Sequence, residues 1–119
     1  MIRAAIAAGL VPALLATAPV AHADRWGDGP QGRDIWICET LMAAGMPMRV
    51  HRLIAVRMVL GDKEGYSPEQ TREAMDQAVT DTCPGASYSY TLAVTYYSMA
   101  PPESREIWDA KAAPLADEL

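Results

Sequence analysis

Cys38 and Cys83 are the only cysteines in this 119-residue chain, so whether they pair decides much of what it can fold into. Their meaning depends on the compartment. The first 23 residues, MIRAAIAAGLVPALLATAPVAHA, carry one early cation at Arg3, an uncharged run from Ala4 to Ala21, and small residues at Ala21 and Ala23 around His22. That order predicts a secretory leader cut after Ala23. The run is near the lower limit for spanning a bilayer and is broken by Pro12 and Pro19, and no cysteine beside the cut offers a lipid anchor. An even pair of cysteines in an exported chain is read first as a disulfide, which is stable in oxidising surroundings. A free or metal-bound thiol pair is the alternative, although metal sites usually draw on four ligands.

With the leader removed, 96 residues remain, nine Lys plus Arg against fifteen Asp plus Glu, for a net charge of −6. Nucleic-acid affinity is carried by excess cationic charge, so a nucleic-acid partner is not expected. A chain of this length forms one domain with a thin core, the size at which a covalent staple matters most.

The apolar spacing predicts helices. In GYSPEQTREAMDQAVTDTCPG, Ser67 can cap, Pro68 suits the first helical position and Gln70 completes a capping box. Met75, Ala78, Val79, Thr82 and Cys83 follow at helical spacing, and Pro84 and Gly85 stop the run. Upstream, Asp34 can cap a helix whose face is Ile35, Cys38, Leu41 and Met42, with Gly45 and Pro47 as the stop. Between them, MRVHRLIAVRMVLGDKEG reads as a helix ending near Gly61, with a wide apolar surface. The expected disulfide joins Cys38 to Cys83 and welds the first helix to the third. The middle helix is one-sidedly basic: Arg49, His51, Arg52 and Arg57 come before any acid, offering a possible anion-binding face for an envelope phosphate or acidic lipid. The plainer reading sets these cations against Glu69, Glu73 and Asp76 or in solvent.

Cys38, Gly45, Pro47, the run Gly65-Tyr66-Ser67-Pro68-Glu69-Gln70 and Cys83-Pro84 together resemble the small exported actinobacterial family called domain of unknown function 732. The resemblance covers Ile35 to Gly85, about half of the mature chain. It implies a compact helical fold with Cys38 and Cys83 paired, an exported location and a mycobacterial source. It implies no activity.

The organisation expected is a leader over 1–23, a flexible mature N-terminus over 24–33, a disulfide-linked helical domain over 34–85 and an extension over 86–119. In the extension, SYSYTLAVTYYSM alternates enough for a strand, but no other segment reads as its neighbour. A helix over Tyr88 to Met99, with Tyr90, Ala93, Val94 and Tyr97 on one stripe, is therefore preferred. Pro101 and Pro102 make a break. Glu103 to Ala113 reads as a short last helix before Pro114 and a frayed acidic tail, packed where the family carries an extra N-terminal helix.

Catalysis finds little to build on. His51 is the only histidine of the mature chain, and there is no G-x-S-x-G, H-E-x-x-H or P-loop. Glu69 and Glu73 sit at the spacing of a solvated helix face. Met46, Met48 and His51 could suit Cu(I), and Tyr96, Tyr97 or His51 could ligate haem. Six mature methionines in a chain without Phe are more simply core fillers, so no cofactor is expected.

The sequence thus predicts an all-α fold of three to five short helices stapled by one disulfide. It is read as exported, non-enzymatic, without a transmembrane helix in the mature chain, and active through contact with a protein or envelope component. The alternative is an extracytoplasmic carrier of a small apolar ligand, haem or a metal ion. An interaction module needs an exposed apolar or aromatic patch, for which Trp26, Trp36 and the tyrosines of the extension are candidates; a carrier needs a cavity with converging polar groups. Oligomeric state is left open.

Overall fold

A computed structural model describes residues 26, 27 and 29–119. The leader and its cleavage point lie outside the described residues. The fold is all-α. Helix α1 spans Pro30–Met42, α2 Val50–Met58, α3 Pro68–Asp81, α4 Ser87–Met99 and α5 Pro102–Glu118, with no strand among the described residues. A π-helical turn, Val59–Lys63, prolongs α2, and a single 3-10 turn, Pro84–Ala86, leads into α4.

The start of α3 follows the expectation from sequence. Ser67 Oγ accepts from the Gln70 amide at 3.0 Å and Gln70 Oε1 accepts from the Ser67 amide at 2.9 Å, so two otherwise unpaired donors are satisfied reciprocally. The start of α1 does not. The helix begins at Pro30, behind Gly29 with φ of +61°, four residues ahead of the expected cap and inside the stretch expected to be flexible. Asp34 is instead buried in the helix interior, where its carboxylate accepts from Arg33 Nε at 3.2 Å and Nη2 at 3.1 Å. The physical reason lies in the preceding aromatic: Trp26 packs against Trp36 with ring centroids 5.8 Å apart, and its backbone lies so close to Gly32 that any Cβ there would collide with the Trp26 carbonyl. Glycine permits that approach and Pro30 suits a first turn.

The disulfide joins Cys38 to Cys83, with Cα atoms 6.0 Å apart. Cys38 is on the buried face of α1. Cys83 is not on a helical stripe; it lies just beyond α3, in non-helical backbone at φ −134° and ψ 62°. The staple therefore ties the middle of α1 to the C-terminal end of α3.

Helix α2 is the centre of the molecule. Leu53, Ile54, Ala55 and Val56 are all buried in succession, so it has apolar surface on both sides, as a helix enclosed by others must. One side joins a cluster that contains Ile37, Cys38, Leu41, Leu53, Val56, Leu60, Met75, Val79, Tyr90 and Ala93. The other side, with Ile54, Ala55 and Val59, meets Ala112 and Ala116 of α5. The helical chain ends at Lys63, two residues beyond the expected Gly61. It widens into the π turn, closed by Glu64 N–H to the Val59 carbonyl at 3.1 Å, and the alternation between clusters continues there, with Val59 in the second and Leu60 in the first.

The C-terminal segment shares this core. α4 is a helix, as preferred, with Tyr90 and Ala93 buried. The expected end at Ala113 is corrected: α5 continues through Pro114 to Glu118. Proline forfeits only the bond to the Ala110 carbonyl, while Ala112, Leu115, Ala116 and Leu119 pack on the second cluster. Lys63 Nζ then donates to the carbonyls of Ala116, at 2.8 Å, and Asp117, at 3.4 Å, completing the end of the helix. No helix among the described residues is long and apolar enough to cross a membrane.

Candidate functional site

The four cations of the expected anion face do not act together. Arg49 is exposed. Arg52 is half-buried and its Nε donates to the Thr40 carbonyl at 2.7 Å, serving a carbonyl in the last turn of α1 that has no partner within the helix. His51 is also half-buried, and its pKa is lowered by burial first, then by Arg52, Lys111 and Arg49. Arg57 points elsewhere: its guanidinium lies 5.9 Å from the centre of the Tyr97 ring, a cation–π contact. The split follows from helical geometry, since residues 49, 52 and 57 fall at different angles around α2.

Arg57 instead lines a depression of the described surface. A cleft of about 550 Å³ opens between the π turn and the first turns of α3, lined by Arg57, Gly61, Asp62, Tyr66, Thr71 and Arg72. Arg57 also borders two smaller depressions. One, of about 320 Å³, reaches Met58, Tyr97 and Asp109; the other, of about 240 Å³, reaches Arg72, Asp76, Tyr90 and Val94. All three thus border half-buried Arg57.

Its surroundings are polar and mostly committed. Tyr90 donates to Asp76 Oδ1 at 2.7 Å and Tyr97 donates to Asp109 Oδ1 at 3.0 Å. The Tyr90 pKa is raised, by burial first and then by its hydrogen bond to Asp76, while Arg57 and Arg72 both act in the opposite direction. Both guanidinium groups therefore lie near this one phenol. Arg72 Nη1 meets Asp76 Oδ2 at 3.3 Å in an exposed i,i+4 pair. Arg57 makes no hydrogen bond or ion pair among the described residues beyond its contact with Tyr97. Such a site can hold an anion between two guanidinium groups, with Asp62 able to accept from a donor on the same molecule.

A second feature lies on α4. Its 13 residues contain no charge. While Tyr90 and Ala93 face the core, Tyr88, Tyr96 and Met99 are exposed to 77%, 56% and 79%, with half-buried Leu92 between them. Residues 88, 92, 96 and 99 lie one turn apart and form a stripe about 16 Å long at 1.5 Å per residue.

The other residues singled out by sequence are not gathered. Met48 is buried in the first cluster, whereas Met46 is exposed. Tyr97 is engaged by Asp109, whereas Tyr96 faces outward. Trp26 and Trp36 pack on each other and on the first cluster. Among the described residues, no group of three or more His, Cys, Asp and Glu is placed to hold a metal ion. Sequence reasoning missed Arg72 and Gly61, because an arginine on a mixed-charge helix face and a glycine at a helix end both read as routine.

Comparison with protein-family models, with curated proteins and with solved structures found no match.

Proposed function

We propose that this chain is an exported, non-enzymatic interaction module that meets a protein partner through the outer face of α4. The observation that carries the reading is the uncharged stripe of Tyr88, Leu92, Tyr96 and Met99. A helix whose outer side only faces water ordinarily carries charge there, whereas tyrosine and methionine are enriched where proteins touch. Export is supported by the leader-like residues 1–23 and by the Cys38–Cys83 bond, which suits an oxidising compartment. Membership of the family of unknown function 732 is part of this proposal, supported by the closed capping box at Ser67 and the paired cysteines at its motif positions.

A 16 Å stripe is smaller than a standard interface of about 800 Å² per partner, so the contact belongs to the weak, exchanging class. A photo-crosslinking side chain at position 96, in mature protein exposed to the host envelope fraction, should give one discrete protein adduct. Replacing Tyr88 and Met99 by Ser should abolish it, and the same probe at exposed Glu73 should give none. Equal adducts from positions 96 and 73, or none from either, would sink the reading.

A further inference from the structure

The cleft beside the π turn has features that the interaction reading does not use, and the inference drawn from it does not depend on that reading. Arg57 is half-buried, borders three depressions and finds no acidic partner or hydrogen-bond acceptor among the described residues. No guanidinium nitrogen of Arg57 is buried without a partner, so its donors face water at the cleft and are available to a ligand. Arg72 lies across the same cleft and gives only one of its two Nη groups to Asp76, at 3.3 Å. The start of α3, with its positive dipole end, closes that side at Pro68.

Gly61 is the second observation. Its φ is not left-handed, and a Cβ there would make only an ordinary contact, 3.8 Å from the Tyr66 carbonyl. The backbone therefore does not require glycine at this point; the missing side chain leaves space in the cleft. The volume of about 550 Å³ falls in the range of small-molecule sites.

We propose that this cleft binds a phosphate monoester on a small hydroxylated body, its phosphate held between Arg57 and Arg72 and its hydroxyl donating to Asp62. A carboxylate offers two oxygens and is served by a single guanidinium fork. A phosphate monoester presents three terminal oxygens and about two charges, which matches two forks approaching from separate helices. Asp62 lines the cleft and would repel a bare phosphate, so it favours a ligand that brings a donor alongside its anion. The same chemistry can come from a free sugar or glycerol phosphate or from a lipid headgroup.

The test is titration of the oxidised mature chain, read by amide chemical shifts, with glycerol 3-phosphate, inorganic phosphate and neutral glycerol. A parallel arm uses phosphatidylcholine vesicles with and without phosphatidic acid. The proposal expects glycerol 3-phosphate to shift Arg57, Gly61, Thr71 and Arg72, and to bind more tightly than inorganic phosphate. Arg57→Gln and Arg72→Gln should each weaken binding about tenfold or more, as loss of a charge-assisted hydrogen bond does. Gly61→Leu should block the cleft without changing its charge, Asp62→Asn should erase the preference over inorganic phosphate, and Arg49→Gln should leave affinity unchanged. Response to phosphatidic acid vesicles alone, lost in Arg72→Gln and Gly61→Leu, would support the site and assign its source to a lipid. No response in either arm, or equal loss in Arg49→Gln and Arg72→Gln, would overturn it. Arg72 is exposed, so its variant tests the site even if Arg57→Gln perturbs folding through Tyr97.

Discussion

The hydroxyl of Tyr90 links α4 to α3 through Asp76, at the edge of the first core cluster. Tyr90→Phe keeps the ring and removes only this bond, so urea denaturation should show a loss of about 1 kcal/mol, the usual net worth of such a bond. His51 makes a different prediction. Its folded pKa lies below its ordinary 6.5 because of partial burial and the neighbouring Arg52, Lys111 and Arg49. The fold thus favours the neutral ring: its contribution is present above 6.5 and is lost as pH falls through the lowered folded value. Thermal melts from about pH 7 to about pH 5 should show the native chain losing more than His51→Gln, by under about 1 kcal/mol because the ring is only partly withdrawn from water. The contrast between Ser67 and Asp34 shows how far single residues could be read in advance. Both are good caps on paper, but only Ser67 is followed by a glutamine three residues on, and the box closes there. Asp34 was misread because the packing of Trp26 on Trp36, which lets the helix start earlier, is a tertiary contact with no local period.

Among the elements, α5 carries the clearest internal conflict. Pro114 lies inside a helix of 17 residues, where it leaves the Ala110 carbonyl without its usual donor. Pro114→Ala should restore that bond and raise stability by roughly 1–3 kcal/mol, measured by urea denaturation, with an unchanged far-ultraviolet spectrum as the check on fold. The sequence alone stops this helix at Ala113, because proline is a strong punctuation mark and the anchoring of Ala116 by Lys63 spans 53 residues. For α4 the reverse holds. Tyr, Thr and Val favour a strand locally, yet the absence of a pairing partner elsewhere made helix the better reading, and Ser87–Met99 is helical. The π turn had no signature in the local spacing of residues 59–63, which continues the apolar pattern of α2. It also positions Gly61 and Asp62 on the cleft, which is why that site was legible only in part, through Arg57.

At the scale of the molecule, one covalent bond fixes α1 to the end of α3, while α4 and α5 are held by packing on α2 and by hydrogen bonds from Met48, Lys63 and Tyr90 to Ser89, Ala116 and Asp76. Closure of a loop with its cysteines 45 positions apart accounts for roughly 4 kcal/mol of stability on the chain-entropy model. The double variant Cys38→Ala/Cys83→Ala should lose up to about that much in urea denaturation, a large fraction of what a domain this small possesses. The all-α class and the pairing were both open to sequence reasoning, because spacing and parity of residues carry them. The division of the core into two clusters was not, since it depends on α2 being wrapped from both sides. The staple also sets how the molecule responds to force. Pulled by its two ends, the chain between positions 38 and 83 cannot lengthen: a span of 6.0 Å between Cα atoms replaces roughly 150 Å of extended chain. Load therefore falls on the unstapled parts, the first half of α1 together with α4 and α5, while the chain from Cys38 to Cys83 is bypassed by the bond.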